Sequence, residues 1–115
     1  MTITRIDSGP RMSRAVVHGD TVYLQGLTAQ NAAEDIKGQT RQVLARIDEV
    51  LGGVGSDKSK LLSVTIYLSS IGNFAAMNEV WDAWADKANA PASATVETRL
   101  ARPDLLVEMM AVAAK

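Results

Sequence analysis

Four side chains near the C-terminal end are of types that do chemistry together: Ser93, Thr95, Glu108 and Met110. Ser93 and Thr95 offer hydroxyls, and Glu108 is a carboxylate able to accept a proton or a hydrogen bond. Met110 carries only a thioether, which cannot act as a general base and suits packing instead. Their spacing decides whether they meet. Between Ser93 and Thr98 the β-branched Thr95, Val96 and Thr98 favour extended structure, and alternation across a strand puts Ser93, Thr95 and Glu97 on one face. Pro91 fits the start of that strand, because it has no N–H to give to a ladder. Ala101 to Asp104 supplies turn chemistry, and Leu105–Ala113 reads as a second, more buried strand. Pairing the two antiparallel around that turn sets Ser93 opposite Met110 and Thr95 opposite Glu108, in a register free to slip by a residue or two. All four then share one patch of one sheet face.

Other chemistries are closed. The chain has no cysteine, which removes disulfides, thiolate catalysis and cysteine-ligated metals. With His18 as the single histidine, a histidine-based metal site has no second ligand, so neither a metal nor another cofactor is expected. A net charge of −1 and a pI near 5.7 give no long-range pull on phosphates, so nucleic acid is not an expected partner. No apolar run is long enough for a membrane span and no signal-peptide core is present, so no membrane partner is expected and the cytoplasm is the expected compartment. At 115 residues, 47% of them hydrophobic and 22% charged, residues 1–115 fit a single globular domain.

The elements that must position these groups follow from periodicity. Thr2–Asp7 alternates as a first strand, and the Gly9–Pro10 pair marks a loop over residues 8–13. Ala15–His18 and Thr21–Gln25 flank Gly19–Asp20, the pattern of a tight hairpin. Gly26 then allows close backbone approach, and Thr28–Glu34 is loop. From Asp35 to Leu51 the apolar Ile36, Val43, Leu44, Ile47, Val50 and Leu51 form one helical stripe, with Gln39 and most charges elsewhere. Gly52 and Gly53 are expected to end that helix. Leu61–Leu68 is a buried strand, and a second helix runs from an Asn73 cap to about Lys87, with Phe74, Met77, Val80, Trp81 and Trp84 on its stripe. This order predicts an α+β fold in two layers, a mostly antiparallel sheet with two helices on one face. Neither Leu61–Leu68 nor Leu105–Ala113 alternates cleanly with polar residues, so the uncovered sheet face is too apolar for water. Further copies of the same chain are its expected cover.

The segments Pro91 to Glu97, Leu106 to Val112 and Asn73 to Trp81 resemble the signature segments of the RidA/YjgF/L-PSP superfamily, in the family order and over nearly the whole chain. The resemblance implies a chorismate-mutase-like fold, a homotrimer, and a small-molecule ligand in clefts between subunits. For deaminating members it implies hydrolysis of 2-enamines and 2-imines. There an Arg at the Ser93 position clamps the substrate carboxylate, and a Glu at the Met110 position activates water. This chain has neither. The family Tyr that covers the cavity falls on Arg11 or on Met12, according to which loop residues are aligned. Glu108, Glu97, Asn78 and the hydroxyl of Thr95 keep the family pattern. Gly26 keeps its glycine between an altered Gln25 and an altered Leu27.

These departures leave two readings open, with Ser93, Thr95, Met110, Glu108, Arg11, Met12, Gly26 and Asn78 as the ligand-binding candidates. One is a trimeric protein that binds a metabolite without the family's deamination. The other is a deaminase, a hydrolase with a rearranged site in which Arg11 and Glu108 stand in. Arg99, six residues beyond Ser93 on an extended strand, is expected to lie about 20 Å from it and outside the pocket. A ribonuclease reading, attached to the L-PSP name, conflicts with the acidic pI and the lack of basic residues interleaved with aromatic ones.

Overall fold

The computed structural model describes residues 1–115, which form two helices packed on one face of a seven-stranded, mostly antiparallel sheet. The strands are β1 (Ile3–Ile6), β2 (Ala15–His18), β3 (Thr21–Leu24), β4 (Leu27–Thr28), β5 (Leu61–Leu68), β6 (Ala92–Glu97) and β7 (Val107–Ala114). The helices are α1 (Ile36–Gly53) and α2 (Phe74–Trp84). The α+β layering expected from the sequence is present. Strand order is β1-β2-β3-β7-β5-β6, with the short β4 also on β7, so β7 lies inside the sheet and β1 and β6 lie at its two edges.

The hairpin expected between β6 and β7 does not form. β6 runs parallel to β5, with Val64 beside Ser93 and Ile66 beside Thr95, while β7 pairs antiparallel with the other side of β5. The physical reason is the crossover: β5, α2 and β6 make a strand–helix–strand unit, which returns the chain parallel to its first strand. The tight hairpin of β2 and β3 does form, with Gly19 at φ +61° in its turn.

Helix ends differ from expectation in instructive ways. Asp35 caps α1 by accepting from the Gly38 N–H at 2.9 Å. Gly52 and Gly53 continue the helix, and the left-handed residue that stops it is Gly55, at φ +77°. Asn73 makes no capping bond to α2. The chain enters that helix through a 3-10 turn at Ile71–Asn73, where the Ser70 hydroxyl accepts from the Gly72 N–H at 3.3 Å.

The core lies between the helices and the sheet. Val43, Leu44, Ile47 and Leu51 of α1 meet Val22, Leu24, Val64, Ile66, Leu68, Val107, Met109 and Ala111, and Trp81 and Trp84 pack against its margin. Gln39, assigned by periodicity to the outer side of α1, is instead fully buried. Its Nε2 donates to the carbonyls of Ala32, Glu34 and Asp104 at 3.1, 3.1 and 2.9 Å, and its Oε1 accepts from the Leu106 N–H at 2.9 Å. One side chain thus pins the 98–106 loop to α1. Leaving a buried polar group unpaired costs about 1–3 kcal/mol. Gln39→Leu, which strips partners from several, is expected to lower the urea-derived unfolding free energy by about 3 kcal/mol or more. A loss under about 1 kcal/mol would mean that water replaces the amide.

Candidate functional site

Alternation along β7 sorts its side chains between the two faces of the sheet. Val107, Met109 and Ala111 point into the helix-side core and are fully buried, whereas Glu108 and Met110 lie on the open face. Register extends that face outward: Met110 stands beside Thr65, and Glu108 beside Tyr67 and Thr28. Through β5, the same rows reach Ala94 and Val96 of β6. Tyr23, Val96 and Met110 are 44%, 42% and 47% exposed, so large apolar side chains stand in water across this face.

The candidate residues therefore separate. Ser93 and Thr95 fall in the rows of Val64 and Ile66, on the helix side of the edge strand β6, and not opposite Met110 and Glu108. Arg11 and Met12 sit in the loop between β1 and β2, beyond the opposite edge of the sheet. They line a hollow made only of residues 7–12. Asn78 is half-buried in α2, in the helix layer. Arg14, the other loop arginine, is committed to α1: its Nη2 donates to Glu49 at 2.8 Å, and Asp7 lies at 3.5 Å from Nη1. The Glu49 hydrogen bond, opposed by partial desolvation, raises its pKa above the usual arginine value.

Gly26, Glu108 and Met110 do come together. With Tyr67, Thr98, Arg99, Leu100 and Ala101 they line a cavity of about 290 Å³ at the margin of the open face. A Cβ at Gly26 would meet the end of the Glu108 side chain, too near Oε2 and 3.2 Å from Cδ, so the carboxylate would have to swing aside. The close approach expected of Gly26 is thus to the Glu108 carboxylate. Neither Glu108 nor Arg99 forms an ion pair within the chain, whose pairs are Arg14 with Asp7 and Glu49, Lys37 with Glu79, and Arg102 with Asp104.

Arg99 and Tyr67 are the members that the sequence did not reveal. The rise of an extended strand does not apply to Arg99, because β6 ends at Glu97 and Thr98 donates to the Leu68 carbonyl at 2.9 Å as the chain turns. The missed signal was the strand–helix–strand order itself, since parallel pairing puts Tyr67 beside Val96 and carries Arg99 round the end of β5.

A second hollow, about 420 Å³, lies between the helices, lined in part by Lys37, Asp48, Glu79 and Trp84. Lys37, Glu79 and Asp48 there already have partners within the chain. Lys37 pairs with Glu79, whose carboxyl it holds below the usual carboxylate range, and the Trp84 Nε1–H donates to Asp48 at 2.8 Å. No group of three or more His, Cys, Asp and Glu side chains is placed to hold a metal ion, and no helix is long and apolar enough to cross a membrane.

Comparison with known proteins gives one consistent answer. The family described as Endoribonuclease L-PSP matches residues 2–115. The RutC family protein YoaB of Escherichia coli is 45% identical over 114 residues, covering 99% of each chain. A YjgF-family crystal structure from Neisseria meningitidis superposes with a TM-score of 0.97 at 43% identity, covering 100% of this chain and 96% of that one. One from Mycobacterium tuberculosis superposes with a TM-score of 0.89 at 32% identity, covering 99% and 100%.

Proposed function

Since the chain belongs to the L-PSP family, whose relatives include the RutC and YjgF proteins, we propose that it works as a homotrimer holding a small metabolite in intersubunit clefts, without imine hydrolysis. The observation that carries this reading is the cavity beside the open face, where Met110 occupies the position at which the resemblance implies a water-activating Glu. A thioether neither takes nor gives a proton, so the hydrolytic step lacks its base there. The exposed Tyr23, Val96 and Met110 support self-association, because covering large apolar side chains removes them from water. A second copy on that face also closes the cavity, which is open in one chain.

Ser93 and Thr95 enter this reading through the neighbouring copy. Lying at the β6 edge, they contribute to a cleft when that edge meets another subunit, as do Arg11 and Met12 at the opposite edge. Ser93 then offers one hydroxyl in place of a two-pronged, charge-assisted arginine contact. The ribonuclease in the family's description is disfavoured by the net charge of −1, which supplies no track for a phosphate backbone.

One observation favours a second reading, a rearranged 2-imine deaminase. Arg99 and Glu108 line the same cavity, so a cation for a carboxylate and an acceptor for a proton are both at hand. A single assay separates the two: 2-iminopropionate is generated enzymatically and its loss is followed with and without protein. A positioned general base contributes roughly 10²–10⁴-fold. The wild type is expected to stay within about ten-fold of the spontaneous rate. Faster turnover, abolished by Glu108→Gln and by Arg99→Ala, establishes the rearranged enzyme instead.

A further inference from the structure

We infer that the cavity at the end of β7 selects a zwitterion, a small aliphatic amino acid, with Arg99 holding its carboxylate and Glu108 its ammonium. This rests on the reading that the metabolite binds in this cavity, and it goes further by naming the ligand's chemistry and the residues that set it. Arg99 and Glu108 line one cavity of about 290 Å³, yet no nitrogen–oxygen pair between them lies within 4.0 Å, and neither has another ionic partner in the chain. Opposite charges that face one space without touching leave room for a molecule that satisfies both. A simple anion meets the Glu108 carboxylate as a like charge, and a simple cation meets Arg99 in the same way. A zwitterion pairs with each.

The remaining lining sets the size and polarity of the rest of the ligand. Tyr67 offers a phenolic donor and acceptor near Glu108, its register partner on β5. Leu100 and Met110 present aliphatic surface, suited to an alkyl side chain and not to a further charge. The hollow, about 290 Å³ and open in one chain, has room for a single small metabolite. Two features hold the charged pair in place. Gly26 leaves room for the Glu108 carboxylate in its present position, and Gln39 anchors the loop that carries Arg99.

The test compares three probes that share one propyl side chain: L-norvaline, 2-oxopentanoate, which has a ketone in place of the ammonium, and butylamine, which lacks the carboxylate. Each is titrated into the assembled wild-type protein, and the amide resonances of Gly26 and Glu108 are followed by two-dimensional NMR. L-Norvaline is expected to bind at least about ten-fold more tightly than either analogue, because a site built to pair a polar group rejects the molecule that lacks it. Arg99→Gln should bring L-norvaline down to the affinity of butylamine, and Glu108→Gln down to that of 2-oxopentanoate. Both side chains are at least partly exposed, and an unchanged mass and melting curve verify that the variants still fold and assemble. Equal binding of 2-oxopentanoate and L-norvaline overturns the inference, as does L-norvaline binding that ignores Arg99→Gln, or no response to any probe. A preference for 2-oxopentanoate at the same amides removes the zwitterion but keeps a ligand in the cavity. Rapid imine turnover alongside tight L-norvaline binding removes the non-hydrolytic reading and keeps the zwitterion.

Discussion

Met109→Asp is expected to leave no cooperatively folded chain, whereas Met110→Asp, one residue further on, is expected to keep a cooperative melting transition. The two differ only in the face to which they point. Met109 is fully buried between the sheet and α1, beside Leu27 and Ile66. An aspartate there is an unpaired buried charge, which costs about 3–5 kcal/mol, and loss of the buried thioether side chain adds about 2 kcal/mol. Against a total stability of about 5–15 kcal/mol, that removes most or all of the fold. Met110 is 47% exposed in one chain, so a carboxylate there stays hydrated and the monomer loses under about 0.5 kcal/mol. Light scattering should give about three times 12.3 kDa for the wild type, and Met110→Asp should retain a melting transition. A wild-type mass of about 12.3 kDa removes the homotrimer. A Met109→Asp protein melting like the wild type contradicts the facing of β7.

That contrast was only half legible in the sequence. The span of the strand Leu61–Leu68 was read as it stands, and the apolar run Leu105–Ala113 was recognised as a strand, which spans Val107–Ala114. Composition suffices for that, because the core-facing rows of both strands are apolar and β-branched or aromatic residues favour extended structure. Partner choice is different. A turn-rich segment between two strands resembles a hairpin whether or not the strands pair, and here β5 lies between them. The error moved Ser93 and Thr95 to the wrong face, and it concealed Arg99. Gln39 escaped for another reason: periodicity grades a glutamine as polar and hence outward, yet this one is buried because backbone groups of two loops satisfy all its hydrogen bonds. Gly26 was readable as a point of close approach, although not as the floor beneath a carboxylate.

The separation of Ser93 from Met110 turns a simple reconstruction into a test of where the cleft lies. Within one chain the two residues lie on opposite faces, with β5 between their strands, so they cannot act on one small ligand. If clefts form between copies, Ser93 from one subunit and Met110 from its neighbour face the same space. Ser93→Arg plus Met110→Glu should then raise imine hydrolysis far above either single change, by roughly 10²-fold or more, because a clamp and a base act as a unit. The decisive sample mixes subunits, with Ser93→Arg chains and Met110→Glu chains unfolded together and refolded at equal amounts. Each single variant alone should remain near the spontaneous rate. The mixture should recover a substantial share of the double variant's activity, since some of its clefts receive the arginine from one chain and the glutamate from another. An active double variant with an inactive mixture places both groups in the same chain and excludes a shared cleft. If the double variant itself stays inactive while keeping the wild-type mass, the two substitutions are not what separates this protein from hydrolysis. The altered cover at Arg11 and Met12 then becomes the next position to change.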